Sequence, residues 1–487
     1  MQTKHEEASL KISKRTFIVA FVILFLLMMT VGILTQVIPT GSYTREMVDG
    51  RETLVNYQQT DVAKLPVYRW FTAPVEVLFS ADGAVVMVII FFLLAVSMAF
   101  SLLEKSSIMM LFISSVVKRF GGRKYLLMAI IVLVFMLMGA VLGTFEENIA
   151  LVPIILALAY CLGWDSLVGL GMSMLASCFG FTAAITNPFS IAITQKLANL
   201  PLYSGSGYRI IIFAVYFVVL FWFLYRYARK IEKDPTKSKV YGDDAALREK
   251  YSDTGSLEKV LADKTPQEYA KLKKASIAFG IFLGLMLVLF VSASFVSILS
   301  DLMLPILGIL LLAGGIIASG MAGIPSKRRL KIIGSAAAGI APGIVLILMA
   351  MSVKFIISNG GILDTILYQA AGAIESTSPF VAILLIYVFI LVLELFVGSS
   401  SAKAFLVMPI IAPLANMFHF AQTSVLAFSF GDGFSNMIYP TNPVLLICLG
   451  LTVVTYPKWM KWTFKLQLVS LALAAVFLLI GVAINYG

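Results

Sequence analysis

The stretch Ala-Ile-Thr-Asn-Pro-Phe-Ser, residues 184–190, lies deep inside a run of apolar sequence. Its proline removes a backbone donor, and the asparagine beside it is costly in lipid. The same triplet returns as Thr441-Asn442-Pro443, again in apolar surroundings. Two helix-breaking polar triplets in sequence that favours unbroken helix need a structural reason, and the rest of the chain supplies one.

Of 487 residues, 60% are hydrophobic and only 13% are charged. A soluble domain of this length does not hide so much apolar surface. Long apolar runs of about 20 residues indicate an all-α integral membrane protein. Spans are expected near 16–38, 82–103, 125–143, 166–185, 208–228, 276–299, 302–320, 333–353, 379–397, 421–430 with its continuation, and 464–485. That makes about eleven membrane helices. The pieces 149–162 and 404–417 are too brief to cross alone. The first apolar run is too long for a signal-peptide core and lacks a cleavage pattern.

The net charge of +11 does not point to nucleic acid, because the basic residues cluster at the ends of apolar runs. Lys11, Lys14 and Arg15 precede the first span, and Lys118, Arg119, Arg123 and Lys124 follow the second. Arg229, Lys230 and Lys233 open a long polar loop, and Lys327, Arg328, Arg329 and Lys331 follow the span at 302–320. Lys458, Lys461 and Lys465 precede the last span. All these clusters can share the cytoplasmic side if the amino terminus is inside, which puts 39–69 outside. Cys161, Cys178 and Cys448 lie in membrane segments, so no disulfide framework is implied.

The polar stretch 229–274 separates a first membrane half, 16–228, from a second, 275–487; residues 1–15 form a cytoplasmic tail. The halves resemble each other. Gly143-Thr-Phe-Glu-Glu-Asn precedes Val152-Pro153-Ile154, and Gly398-Ser-Ser-Ser-Ala-Lys precedes Met408-Pro409-Ile410. The two glycines, 143 and 398, and the two asparagines, 187 and 442, are both 255 positions apart. The run 208–228 ends in a basic cluster whereas its counterpart 464–485 starts from one, so the repeats have inverted topology. Inverted repeats with interrupted helices are the mark of secondary transporters, whose site lies where the repeats meet. Irregular backbone at membrane depth is tolerated only inside protein or around a wet cavity. Each triplet is therefore expected to break one helix, at 186–188 and 441–443. The segments 145–162 and 399–417 are expected as re-entrant hairpins whose polar tips reach the same central place.

With those motifs in hand, the chain resembles the DcuC/YfcC-like family of the ion-transporter superfamily, which includes four-carbon dicarboxylate and basic amino-acid carriers. The residues that carry the resemblance are Gly431-Asp-Gly-Phe-Ser-Asn-Met-Ile-Tyr-Pro-Thr-Asn-Pro443 and Asn359-Gly-Gly-Ile-Leu-Asp-Thr-Ile-Leu367. Residues 143–148 and 453–461 add to it, and the similarity runs from residue 16 to the end. It implies paired hairpins, paired broken helices, an elevator-like mechanism and often a homodimer. Many relatives carry Thr-Ser-Gly where Thr441-Asn442-Pro443 stands.

Asn187 and Asn442, helped by Thr186 and Thr441, can offer amides to a substrate or carbonyl oxygens to sodium. The alternative is that each asparagine satisfies backbone groups freed by its proline. Asp432, between two glycines, is an intramembrane acid that can bind a proton, a cation or a substrate ammonium; otherwise it caps a helix. Asn436 lies one turn further along the same face. Ser399, Ser400 and Ser401 occupy the second hairpin's start, as Glu146, Glu147 and Asn148 occupy the first's. Aligning Pro153 with Pro409 makes Glu147 the counterpart of Lys403, so an ion pair between them is expected as a gate; the alternative leaves both solvated. Glu394 is expected to pack inside the bundle with a polar partner. Lys354 is expected to snorkel near a span end or to meet a substrate carboxylate.

No H-E-x-x-H, G-x-S-x-G or P-loop occurs, so neither an enzyme nor a nucleic-acid partner is expected. No repeated filter suggests a channel. The expectation is a carrier for a small organic ion in the cell (plasma or inner) membrane. Intramembrane acids outnumber bases, which favours a basic or other amino acid over a four-carbon dicarboxylate. No metal cofactor is expected; sodium near Asn187 and Asn442, or protons, are the candidate coupling ions.

Overall fold

A computed structural model describes residues 14–48, 51–60, 63–252, 265–293 and 302–486. The chain is almost entirely helical. The first helix, α1 (Lys14–Val37), leads into a two-stranded antiparallel hairpin, β1 (Gly41–Val48) and β2 (Arg51–Gln59). Then come α2 (Tyr68–Glu76), α3 (Gly83–Lys105), α4 (Ile108–Phe120) and α5 (Lys124–Leu137), the last extended by a π-turn to Leu142. A second arm, α6 (Val152–Cys161), begins with the 3-10 turn Glu147–Leu151. The first broken helix consists of α7 (Ser166–Leu170), a π-turn, α8 (Ala176–Thr182), the break, and α9 (Ile193–Leu197). The first half closes with α10 (Ser206–Lys233).

Beyond α11 (Ala245–Ser252), the second half begins with α12 (Pro266–Ala293), α13 (Met303–Met321) and α14 (Ser326–Asn359). Its hairpin follows α15 (Leu363–Glu375) and comprises α16 (Pro379–Glu394) and α17 (Ser400–Met417). Its broken helix is α18 (Ala421–Ser435), the break, and α19 (Pro443–Gly450); α20 (Tyr456–Ala483) completes the chain.

Among the described residues, eight helices are long and apolar enough to cross a membrane, and three shorter apolar helices accompany them. The molecule is a multi-pass membrane protein. Its outward faces are apolar: Val22 and Leu26 on α1, Ile130 and Val134 on α5, Val218 and Trp222 on α10, and Val476 on α20 are all exposed. Such faces suit lipid. The piece expected to be too short to cross, 404–417, is part of an 18-residue helix, Ser400–Met417, that is long enough. It runs on through Pro409 and Pro413 without breaking. The turn of the first hairpin falls at 143–146 and that of the second at 395–399, so α5 and α16 are the hairpins' first arms. The polar segment after α1 holds the only sheet among the described residues.

Counterpart helices of the two halves pack antiparallel. The Tyr208 hydroxyl at the start of α10 donates to the Phe477 carbonyl near the end of α20 (2.8 Å), and Tyr216 donates to the Ser470 carbonyl (3.0 Å). In α3 and α14, Asp82 pairs with Lys354 (2.8 Å) while Ser97 donates to the Ala336 carbonyl (3.2 Å). Lys354, partly exposed near the end of α14, is held by the acid before α3. At the end where Lys124, Lys239 and Lys458 gather, the start of the polar linker folds back onto the bundle. Asp165 accepts from Tyr227 and Ser238 (both 2.7 Å), Asp244 accepts from the Ser166 amide (3.2 Å), and Lys458 pairs with Asp243.

Candidate functional site

The two halves meet where α8 crosses α18, and residues 166–184 and 422–437 are buried throughout. Gly433 permits that crossing: a Cβ there would lie 2.2 Å from the Thr182 amide nitrogen. Ser429 Oγ donates to the Phe181 and Thr182 carbonyls (both 3.4 Å). The crossing sets both breaks beside the bundle's centre.

At each break the asparagine rebuilds what the proline removes. Asn187 Oδ1 accepts from the amides of Phe189 (2.8 Å) and Ser190 (3.2 Å). Asn442 Oδ1 accepts from those of Val444 (2.9 Å) and Leu445 (3.4 Å). Both are N-caps of the helix after the break, with proline at its first position. Their amide nitrogens are committed too: Asn187 donates to the Gly139 carbonyl (3.0 Å) and Asn442 to Asn436 Oδ1. The side chains expected to face a substrate or sodium thus hold the break itself.

The freed carbonyls are also satisfied, as burial demands. Arg209, which is buried, donates to the carbonyl of Ile185 in the first break (2.8 Å) and to the Tyr486 hydroxyl (2.9 Å). In the second break, Trp459 Nε1 donates to the Met437 carbonyl (2.9 Å) and the Tyr456 hydroxyl to that of Ile438 (2.7 Å). These two residues come from the 453–461 stretch that carries the family resemblance.

The hairpin turns reach both breaks. Gly143 takes the left-handed conformation (φ 71°), and a Cβ there would lie 2.6 Å from Asn187 Oδ1, so the first turn seats directly on the first break. Ser400 Oγ donates to the Phe189 carbonyl (3.1 Å), which ties the second hairpin to the helix after the first break. The turn Glu147–Leu151 packs in the same way against α19, the helix after the second break. Thr186 and Thr441 are half-buried beside their asparagines; Ser399 ends the second turn and caps α17 through the Ala402 amide (3.4 Å), and Ser401 lies in the first turn of α17. Asn148 is buried and structural in its contacts, donating to the Thr144 carbonyl (2.9 Å) and Ser177 Oγ (2.8 Å).

The charges sit between these parts. Lys403, on the first turn of α17, is wholly buried. Its ammonium pairs with Glu394 at the end of α16 and with Asp432 on α18 (2.8 Å), under the ring of Phe428 (5.8 Å to its centre). Lys403 therefore does not pair with Glu147. Glu147 instead accepts from the Phe145 amide across its own turn (3.1 Å). The alignment of the two prolines located both residues on their hairpins but not their partners. Glu394, expected to find a polar partner, has one. Glu146 is half-buried, lies within electrostatic reach of Asp432, and has Glu147 beside it. Two carboxylates thus pair with one ammonium, and two further acids follow in a chain from Asp432 to Glu146 to Glu147.

The family model for the C4-dicarboxylate anaerobic carrier, DcuC, matches residues 17–483. "Putative basic amino acid antiporter YfcC" of Escherichia coli K12 is 31% identical over 336 residues, covering 68% of this chain and 64% of that protein. An uncharacterized protein of Haemophilus influenzae is 26% identical over 347 residues, covering 71% and 66%. The chain thus spans just under two thirds of the length of these relatives. Two solved structures are similar in outline. The YdaH transporter of Alcanivorax borkumensis has 15% identity and a TM-score of 0.41, covering 96% of this chain and 97% of that one. MtrF of Neisseria gonorrhoeae has 15% identity and a TM-score of 0.43, covering 95% and 94%. The match over nearly the whole sequence makes this chain a member of the DcuC family, which consists of carriers rather than enzymes.

Proposed function

We propose that the protein is a secondary active transporter that exchanges small amino acids bearing a cationic group, arginine and ornithine being the type compounds. The observation that carries this reading is the charge balance at the junction. Lys403 already has two carboxylate neighbours, Glu394 and Asp432, and beyond them Glu146, within electrostatic reach of Asp432, and Glu147 beside it add two acids and no cation. Such a place attracts an ammonium or guanidinium and repels a second anion. The name of the Escherichia coli relative supports the same substrate class.

The hairpin turns would act as the gates and the crossed broken helices as the moving floor of an alternating-access, elevator-like cycle. Bound substrate and the turns share the backbone at the breaks, so closing one gate is coupled to occupancy. The proposal includes residence in the cell membrane with the amino terminus on the cytoplasmic side, and a homodimer as the assembly. Protons, rather than sodium on the two asparagines, suit the acid cluster as coupling ions.

A second reading, transport of a four-carbon dicarboxylate, is favoured by the family's description. It would require Lys403 to leave its two carboxylates and the acids to be neutralised by protons or sodium. Counterflow in proteoliposomes separates the two. Vesicles preloaded with arginine or ornithine should accumulate the same labelled compound, and preloaded succinate should drive nothing. Succinate counterflow without arginine counterflow would overturn the cationic reading.

A further inference from the structure

We propose that Lys403 is a tethered stand-in for the substrate's cationic group. In the carrier without substrate its ammonium occupies the Glu394–Asp432 carboxylate pair, and a bound substrate's ammonium or guanidinium displaces it. This rests on the cationic reading above.

Three observations lead here. Lys403 is fully buried, and its ammonium lies between the carboxylates of Glu394 and Asp432, the latter at 2.8 Å. It is held by charge and by an aromatic face at 5.8 Å, which any other ammonium could equally use. Next, the three charges come from three separate helices that meet at the second hairpin: Glu394 ends its first arm, Lys403 starts its second, and Asp432 lies on the helix that crosses between the halves. Exchanging Lys403 for a free cation therefore unties the hairpin from α18, so the same event binds substrate and frees a gate. Finally, Ser400, three residues before Lys403, ties the same turn to the first break. A shift of Lys403 is thereby transmitted to the other half.

The tether has a consequence for transport. Two ionised carboxyl groups without a cation would make reorientation through the membrane interior costly. With Lys403 in place the carrier can return without cargo. Without Lys403 it can reorient only when a cationic substrate compensates the acids. Net flux needs the unloaded return and exchange does not.

The test is Lys403→Met in proteoliposomes at pH 8, where buried carboxyl groups are least able to neutralise themselves with protons. Initial rates of arginine–arginine exchange and of net arginine efflux are measured on the same preparation. The ratio of net efflux to exchange should fall at least tenfold relative to the unaltered carrier, whatever the drop in exchange itself. An unchanged ratio, or complete loss of exchange in a protein that elutes and melts as folded, overturns the tether. If the single variant does not fold, Lys403→Met with Glu394→Gln leaves the net charge of the cluster unchanged while removing the ammonium beside Asp432. It still leaves Asp432 uncompensated, so its ratio should also fall tenfold, and an unchanged ratio overturns the proposal. An unaltered carrier that exchanges neither arginine nor ornithine overturns the cationic reading and this inference with it. One that exchanges arginine while the variants keep their ratio overturns the tether alone.

Discussion

The two breaks share their backbone chemistry and differ in their charge. At both, an asparagine oxygen caps the next helix through the second and third amides, and a proline occupies the first position. At both, side chains from a later helix satisfy freed carbonyls: Arg209 in the first half, Tyr456 and Trp459 in the second. The hairpins that serve them are unlike. The first presents Glu146, Glu147 and Asn148; the second presents serines and Lys403, whose partners both come from its own half. Duplication kept what any broken helix needs inside a membrane. Divergence fell on the charges, and one acid-rich turn facing one internally neutralised cluster is an asymmetry that a bound ion can use.

The comparison breaks most severely at Asp432. Asp432→Asn removes one neighbour of a buried ammonium, and losing one member of a buried pair costs about 3–5 kcal/mol. Arginine exchange in proteoliposomes should fall by about two orders of magnitude. Adding a carboxylate one turn along, as Asn436→Asp in the same variant, should not restore it. Gly433→Ala comes next, because its Cβ must push against the backbone at Thr182 where the halves cross. Overpacking of that kind costs about 1–3 kcal/mol, read as a lower melting temperature in detergent together with reduced exchange.

The paired asparagines sharpen the comparison. Each loses a helix cap when replaced by alanine, at about 1 kcal/mol. Asn187 also bonds the first hairpin at Gly139, whereas Asn442 bonds Asn436 within its own break. Asn187→Ala should therefore melt lower than Asn442→Ala; equal melting would mean that the hairpin bond contributes nothing.

The linker gives a smaller, pH-dependent effect. Burial, with the charge of Asp165 adding to it, pushes Asp244 up to about 6 from its usual 3.8. An acid raised in the docked state binds its proton more tightly there than when released. Docking of 238–248 is therefore favoured as pH falls through about 6, and this contribution, at most about 3 kcal/mol, is lost as pH rises above it. A spin-label distance between the linker and residue 163 should broaden between pH 5 and 8, and Asp244→Asn should remove the pH dependence. The smallest effect belongs to Lys354→Ala. Its pair with Asp82 is partly exposed, so under about 1 kcal/mol and little change in exchange are expected. A large loss of substrate affinity would return Lys354 to the binding site.

What the sequence made legible was what lipid forbids. Thr-Asn-Pro inside apolar runs, an acid between glycines and Gly-polar turns at equal spacing are costly there, and each marks a real break, cluster or turn. Partnership was not legible. Glu394 closes an apolar helix with nothing beside it in sequence to announce Lys403, and a proline alignment chose Glu147 instead. Which carboxylate meets an ammonium depends on how three helices converge, and no residue spacing encodes that. Arg209 belongs to no motif or basic cluster that singles it out in the sequence. The available signal was its position at the end of α10 away from the basic clusters, where an arginine must be satisfied by protein. The strands at 41–59 are short, polar and paired only with each other, so no apolar alternation marks them in the sequence.

Equilibrium binding of labelled arginine to the purified carrier, with succinate as competitor, tests the central claim most directly. Saturable arginine binding that Asp432→Asn weakens at least tenfold, and that excess succinate leaves in place, is the predicted result. Saturable succinate binding that survives Asp432→Asn, with no arginine binding, would contradict the account and make the acid cluster a coupling site for anion transport.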